Sequence, residues 1–120
     1  MRIFKNAWFN RFSKREKISD DILRKAINRA DQGNIDADLG GNIIKQRIAR
    51  SGQGKSGGYR SIIIFKKGDK AFFMFGFAKS KQENITKTEL KTYKEAAKIF
   101  LSLPDRQIDK LLKDGELTEI

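Results

Sequence analysis

The stretch YRSIIIFKKGDKAFFMFGFA, residues 59–78, predicts two neighbouring β-strands joined by a tight turn. Its first part, Tyr59–Phe65, is rich in β-branched residues, which favour strands. Lys67-Gly68-Asp69 predicts the hairpin turn. The second part, Ala71–Ala78, is apolar at nearly every position, so we expect both of its faces to be covered and the strand to lie centrally in a sheet.

Two helices are predicted after this hairpin. Thr86–Glu89 matches a capping box, in which the hydroxyl and the carboxylate each accept a bond from a free backbone N–H of the first turn. Apolar residues then recur at helical spacing as far as Leu101. Pro104 interrupts this pattern, and a shorter helix is predicted from there to Gly115.

Before the hairpin, the sequence predicts a strand at residues 2–5 and a short basic helix at Ala7–Lys17. Ser19 is expected to cap a second, amphipathic helix, because its side chain can accept a bond from a free backbone N–H. Gly33 has the character of a helix C-terminal stop. Ile43–Arg50 alternates loosely between apolar and basic residues, which predicts a further strand.

The predicted order of elements is therefore β-α-α-β-β-β-α-α. Three consecutive strands favour an antiparallel meander with helices packed on it, which is an α+β fold with a small antiparallel sheet. We find no internal repeat and no linker long enough to divide the chain, so residues 1–120 are expected to form a single domain.

Composition limits the classes of function. The net charge is +11 and the isoelectric point is near 10.0, which favours a polyanionic partner such as a nucleic acid. Cysteine and histidine are both absent, so disulfides, thiolate metal sites and histidine acid–base chemistry are excluded. No apolar run is long enough to span a bilayer. We expect a cytoplasmic protein that does not associate with membranes.

The basic residues are distributed unevenly. Between Leu39 and Gly68 there is no acidic residue, whereas elsewhere acids and bases are mixed. In a meander, the basic positions of two neighbouring strands and their connecting loop converge on one patch. This patch is expected to bind phosphate, and the alternative is a solvated basic hairpin. Its members are Lys45, Arg47, Arg50, Lys55 and Arg60.

Two other motifs favour no chemistry of their own. Ala49–Ser56 matches a relaxed P-loop pattern, but a P-loop must open a helix, and strand sequence follows here. Asp36 and Asp38 precede a glycine pair, a pattern more typical of a turn than of a metal loop. We therefore expect neither nucleotide hydrolysis nor a bound metal, and no cofactor.

The phenylalanines at positions 72, 73, 75 and 77 form a run without polar alternation, which indicates core packing rather than a base-stacking platform. Trp8 and Tyr59 are expected to be partly exposed instead.

The string KQRIARSGQGKSGGYR, Lys45–Arg60, together with the order of elements, resembles the RelE/HigB group of toxins from bacterial type II toxin–antitoxin systems. The likeness extends from Phe4 to nearly the end of the chain. It implies a metal-independent endoribonuclease that cuts mRNA, often in the ribosomal decoding site, and inhibits translation. In this chemistry the ribose 2′-OH attacks the adjacent phosphate and leaves a 2′,3′-cyclic phosphate.

The resemblance also implies which residues act. The family's phosphate-directed basic residues correspond to Lys45, Arg47, Arg50 and Arg60. A further basic residue follows the last central strand, and both Lys79 and Lys81 match it; we take Lys79 as catalytic. The expected RNA-binding residues are Lys55, Tyr59 and Lys81.

The general base is left open by the sequence. Some members of the group use a histidine or a tyrosine late in the chain, and neither is present at Asn84–Thr86. Neighbouring cations disfavour protonation of a lysine, which makes Lys45 or Lys55 a candidate base. Glu83 is the carboxylate alternative.

The partners implied by the resemblance are mRNA, the ribosome and a cognate antitoxin with a helix-turn-helix DNA-binding domain. Two other functions remain as alternatives. The ParE branch shares the fold but inhibits DNA gyrase, and a non-catalytic RNA-binding module would keep the basic patch without cutting.

Overall fold

The computed structural model describes residues 1–49, 58–82 and 84–120. This part of the chain contains four helices and six strands, arranged in one sheet of order β2-β3-β4-β5-β1-β6. In chain order they are β1 Arg2–Asn6, α1 Ala7–Arg15, α2 Asp20–Asp31, β2 Ala37–Gly40, β3 Ile43–Ile48, β4 Tyr59–Lys66, β5 Lys70–Ala78, α3 Lys87–Ser102, α4 Asp105–Lys113 and β6 Leu117–Glu119.

The β4–β5 hairpin lies in the middle of the sheet, as the sequence predicts. Gly68 in its turn has a φ of +72°, a left-handed conformation that glycine adopts without strain. Strand β4 also pairs with β3, and β5 also pairs with β1. Residues of β5 also belong to the apolar clusters on both faces of the sheet, so its apolar run is covered on both faces, and its phenylalanines belong to the core or pack against it as expected.

Each face of the sheet carries its own apolar core. On one face, α1 and α2 pack with residues such as Phe9, Leu23 and Ile27 against Ile44 and Ile63. On the other face lie α3 and α4, whose buried Ala97 and Ile108 belong to the same cluster as Ile43, Ile62 and Phe72. None of the helices in the described part of the chain is long and apolar enough to cross a membrane.

The predicted helix ends are confirmed. Ser19 caps α2 by accepting a bond from the N–H of Ile22. Gly33, with a φ of +94°, follows the C-cap residue Gln32 of that helix, and its N–H donates to the carbonyl of Ala30. The capping box of α3 is formed in both directions between Thr86 and Glu89.

The predicted α+β fold is confirmed, with differences in the sheet. The strand β1 pairs parallel to β5, so the sheet is mostly rather than wholly antiparallel. Two short edge strands, β2 and β6, add to the four that the sequence predicts. Both have four residues or fewer and neither contains an apolar run. Each therefore forms because it pairs with the neighbouring strand, and its own sequence does not predict it.

The pairing of β1 with β6 predicts a dependence of stability on pH. Arg2 donates two hydrogen bonds to the carboxylate of Glu119, each at 2.9 Å, and these lower the pKa of Glu119 below its usual range. A carboxylate with a lowered pKa in the folded state stabilises the protein at neutral pH, and this stabilisation is lost as the pH falls through that pKa.

We expect Glu119→Gln to lose up to about 1 kcal/mol of unfolding free energy at pH 7, since the pair is partly exposed. In urea titrations the difference from wild type should shrink as the pH falls below the usual range of a glutamate carboxyl, and it should vanish only below the lowered pKa of Glu119. Glu116→Gln, at an exposed position nearby, is the control and should follow the wild-type curve. A loss for Glu119→Gln that persists unchanged at low pH would contradict this assignment.

Candidate functional site

A cleft of about 370 Å³ opens where the basic strands β3 and β4 meet the end of β5. Of the six described residues that line this cationic cleft, four are cations and one is a carboxylate. The lining residues are Asp36, Ala37, Lys45, Arg47, Arg60 and Lys79.

Strand register brings the cations together. Arg47 on β3 lies directly opposite Arg60 on β4, so the two side chains share one face of the sheet. Lys45 lies two residues from Arg47 on that same face, and Lys79 follows the last residue of β5. Like charges directly opposite each other destabilise a sheet. The arrangement therefore favours an anion that lies between the cations and offsets their repulsion.

Arg60 is held by its neighbours and has an unmet donor. Its flanking residues Tyr59 and Ser61 are buried, and the hydroxyl of Ser61 donates to the carbonyl of Gln46 at 2.8 Å. Among the described residues, the buried Nη1 of Arg60 has no hydrogen-bond partner. A buried donor without a partner costs about 1–3 kcal/mol, so this atom is suited to an acceptor that enters the cleft.

Arg47 is fixed through its backbone by two side chains. The carboxylate of Asp36 accepts the N–H of Arg47 at 2.7 Å and lies 3.8 Å from its Nε. Arg29 from α2 donates to the carbonyl of Arg47 at 2.7 Å and lies 3.7 Å from Asp36. Strand β2 pairs with β3 only as far as Lys45. Beyond that point the side chains of Asp36 and Arg29, rather than a neighbouring strand, bind the N–H and the carbonyl of Arg47.

The buried amide of Gln46 joins this end of β3 to α2. Its nitrogen donates to the carbonyls of Ala26 and Asn34, and its oxygen accepts the N–H of Asp36. All three contacts are between 2.9 and 3.0 Å. Gln46 thereby fixes the segment that carries Asp36 relative to the strand that carries Arg47.

The structure brings together four of the predicted catalytic residues, Lys45, Arg47, Arg60 and Lys79. Of the two lysines that matched the position after β5, Lys79 lines the cleft, whereas Lys81 is exposed and is not part of its lining. The predicted catalytic Arg50, the predicted RNA-binding Lys55 and the alternative base Glu83 lie outside the described residues.

The expectation that Tyr59 is partly exposed is wrong. Tyr59 is only 3% exposed and belongs to the core beneath α1, where its hydroxyl donates to the carboxylate of Glu16 at 2.6 Å. Side chains alternate along a strand, so Tyr59 points away from the face that Arg60 occupies. Trp8 is half-buried, as expected. The other tyrosine, Tyr93, is half-buried on α3, and burial raises the pKa of its phenol.

Sequence reasoning missed the part that Asp36 and Gln46 play. The turn interpretation holds for Asp38, whose carboxylate accepts the N–H of Gly40 at 2.9 Å. Asp36 instead contacts Arg47, eleven residues away, and no local pattern signals that contact. The P-loop alternative is also disfavoured, because the residues after the glycine-rich segment form β4 and not a helix.

Comparison with known families decides the classification. The family model described as the RelE toxin of the RelE/RelB toxin–antitoxin system matches residues 1–120. The chain belongs to the RelE toxin family. A search of curated proteins finds no match to it.

Membership in the RelE family makes the chain the toxin component of a toxin–antitoxin system, with an antitoxin as its cognate partner. The string that suggested this family in the sequence spans β3 and the start of β4, the two strands that supply Lys45, Arg47 and Arg60 to the cleft.

Proposed function

We propose that this RelE-family toxin is a metal-independent endoribonuclease that cuts mRNA on the ribosome and so inhibits translation in the cytoplasm. The observation that carries the proposal is the cleft itself, where two arginines face each other across β3 and β4 and one of them has a buried donor with no partner among the described residues. A phosphodiester supplies the negative charge and the acceptor oxygens that this arrangement lacks.

In the proposed reaction the 2′-OH of one nucleotide attacks the phosphate that follows it. The 2′-OH gives up its proton as the new P–O bond forms, the P–O5′ bond breaks, and the 5′-oxygen takes up a proton and leaves as a hydroxyl, so that a 2′,3′-cyclic phosphate remains. Negative charge accumulates on the phosphorane in the transition state, and preorganised donors aimed at it lower the barrier. In this proposal Arg60 and Arg47 bind the non-bridging oxygens, and Lys45 and Lys79, which line the same cleft, add positive charge at its walls.

For the proton transfers we favour Lys45, which lines the cleft on the same face as Arg47. Asp36 is not assigned to the proton transfers, because its carboxylate is already bound by the backbone N–H of Arg47 and lies beside two guanidinium groups. Lys55 and Glu83 remain candidates for the general base on the sequence alone. Arg50 is proposed as a further phosphate ligand on the same basis.

The alternatives differ in what they require of the cleft. Inhibition of gyrase, as in the ParE branch, does not need facing arginines with an unmet donor. A non-catalytic RNA-binding module needs the cations but would show no cleavage. The arginine pair therefore favours phosphate chemistry over gyrase inhibition, and detection of cut RNA separates the remaining two.

Expression alone should arrest bacterial growth, and co-expression of the cognate antitoxin should restore it. The antitoxin is expected to be encoded next to the toxin, to carry a helix-turn-helix domain and to cover the basic cleft with an acidic segment. Growth curves with and without each adjacent gene test both points. Normal growth despite confirmed soluble expression of the toxin would contradict the proposal.

Asp36→Ala is expected to lower the cleavage rate about 10-fold, because it removes a charge-assisted bond that positions Arg47. Asp38→Ala is the matched control, since the carboxylate of Asp38 accepts the N–H of Gly40 in the turn and Asp38 is not among the described residues that line the cleft. If Asp36 acts through Arg47, the Asp36→Ala change should have little further effect in an Arg47→Ala background. Additive losses in the double variant would contradict this positioning role.

A further inference from the structure

A second cleft, of about 650 Å³, lies between α2 and the end of β3 and adjoins the first. We call it the α2 groove. Its floor is apolar and is formed mainly by Ile22, Ala26 and Ile48, of which the last two are almost fully buried. Its rim is polar and consists of Lys25, Asn28, Arg29, Gln32, Asp36 and Arg47, together with Ala49.

The rim residues of α2 form one face of the helix. Lys25, Asn28 and Gln32 follow one another at intervals of three and four residues, so their side chains lie in a row above the groove. None of the three side chains makes a hydrogen bond or ion pair with the described residues. An apolar floor with a row of uncommitted amides and a lysine suits a flat ligand that has polar edges and negative charge.

The α2 groove and the cationic cleft share two lining residues, Asp36 and Arg47. The two clefts meet at the edge of β3 beyond Lys45, where the pairing with β2 has ended and the side chains of Asp36 and Arg29 bind the backbone of β3. RNA is a continuous chain. A nucleotide next to a phosphate that contacts Arg47 in the cleft is therefore within reach of the groove.

We propose that the α2 groove is a binding site for the single-stranded RNA nucleotide that adjoins the phosphate held in the cationic cleft. Its base packs on the floor against the partly exposed Ile22, above the buried Ala26 and Ile48, and the amides of Asn28 and Gln32 contact the base edges, for which they offer both donors and acceptors. Lys25 binds the next phosphate along the strand. This inference rests on the proposed function for the location of the first phosphate.

The test compares two double variants of equal composition. Lys25→Ala with Gln32→Ala alters only the rim of the groove, and Lys91→Ala with Gln107→Ala removes the same residue types from exposed positions on α3 and α4. The probes are a short 2′-O-methyl RNA, which cannot be cut, measured by fluorescence anisotropy, and inorganic phosphate, measured by NMR titration. Inorganic phosphate has no base to place in the groove, so its binding reports on the cleft, where four described cations converge, rather than on the single exposed lysine at position 25.

The groove variant should bind the RNA about 10-fold more weakly than wild type and should bind phosphate unchanged. The control variant should match wild type with both probes. A 4-thiouridine placed in the RNA should crosslink to residues 25–32 in the wild-type protein and much less in the groove variant.

Unchanged RNA affinity in the groove variant would overturn the proposal, and so would an equal loss of affinity for phosphate. If RNA binding is unchanged but neutralisation by the antitoxin fails, the groove binds protein and not RNA. Failure of the proposed function gives a different result. If the cleft does not bind the phosphate, Arg60→Ala will bind phosphate and RNA as wild type does, and this outcome does not depend on how the groove variant behaves.

Discussion

Arg60→Ala is expected to lower the rate of RNA cleavage about 100- to 1000-fold, which corresponds to roughly 3–4 kcal/mol of transition-state stabilisation. Arg60 is the cleft residue with the strongest structural case, since its buried Nη1 has no partner among the described residues. Its backbone is held between β3 and β5, opposite Arg47 on one side and Phe77 on the other. A preorganised donor of this kind contributes most where charge develops in the transition state.

Folding should change little in this variant, because removal of one arginine relieves the repulsion between Arg47 and Arg60. Arg60→Lys should also be impaired, since an ammonium group is a point charge and cannot reproduce the two-pronged contact of a guanidinium. The measurement is primer extension on ribosome-bound mRNA, with thermal melting in parallel.

Lys66→Ala is the control for these variants. Lys66 lies at the far end of β4, its side chain is exposed, and its ammonium group lies 3.7 Å from the carboxylate of Asp69 in the hairpin turn. It should cut at nearly the wild-type rate. A folded Arg60→Ala variant that cuts as fast as wild type would refute the assignment of the site.

The largest expected effect on stability is that of Phe72→Ala, which should lower the free energy of unfolding by about 3–5 kcal/mol. Phe72 is fully buried on β5, with its ring 4.9 Å from the ring of Phe4 and 5.2 Å from that of Phe100. The substitution leaves a cavity between the sheet and α3 that these neighbours cannot fill without moving.

Ile99→Ala on α3 is the matched control, because Ile99 is 63% exposed and its truncation creates no cavity. Its effect should stay within about 0.5 kcal/mol. Urea denaturation followed by circular dichroism measures both variants. A loss below about 1 kcal/mol for Phe72→Ala would show that the second core, beneath α3 and α4, does not form as described.

The local parts of the fold could be predicted because their signals are local. The turn at Gly68, the cap at Ser19 and the capping box at Thr86–Glu89 each depend on residues within a few positions of one another. The central position of β5 followed from its apolar run, because a strand that is apolar on both faces must be covered twice.

The non-local parts of the sheet could not be predicted in the same way. Strand β1 pairs parallel to β5 across more than sixty intervening residues, and no feature of either strand specifies the direction of pairing. The edge strands β2 and β6 contain too few apolar residues to stand out, and they form beside β3 and β1 because those strands offer free backbone groups.

The candidate site was predicted in part for similar reasons. Alternation along β3 and β4 placed Lys45, Arg47 and Arg60 on one face, and the same alternation should have assigned Tyr59 to the opposite, buried face. The contact of Asp36 with Arg47 depends on how the segment after α2 returns to the edge of β3, held there by Gln46. That path is a property of the packed molecule.

The central claim is that this RelE-family toxin cuts mRNA by means of its cationic cleft. The most direct measurement is to induce the wild-type chain and Arg60→Ala in bacteria at equal soluble levels and to map the 5′ ends of cellular mRNA. The account predicts new ends within translated regions for wild type and almost none for Arg60→Ala. It further predicts that the purified enzyme cuts ribosome-bound mRNA in the presence of EDTA and leaves a 2′,3′-cyclic phosphate. Growth arrest without new mRNA ends, or with gyrase-dependent DNA breaks in their place, would contradict it.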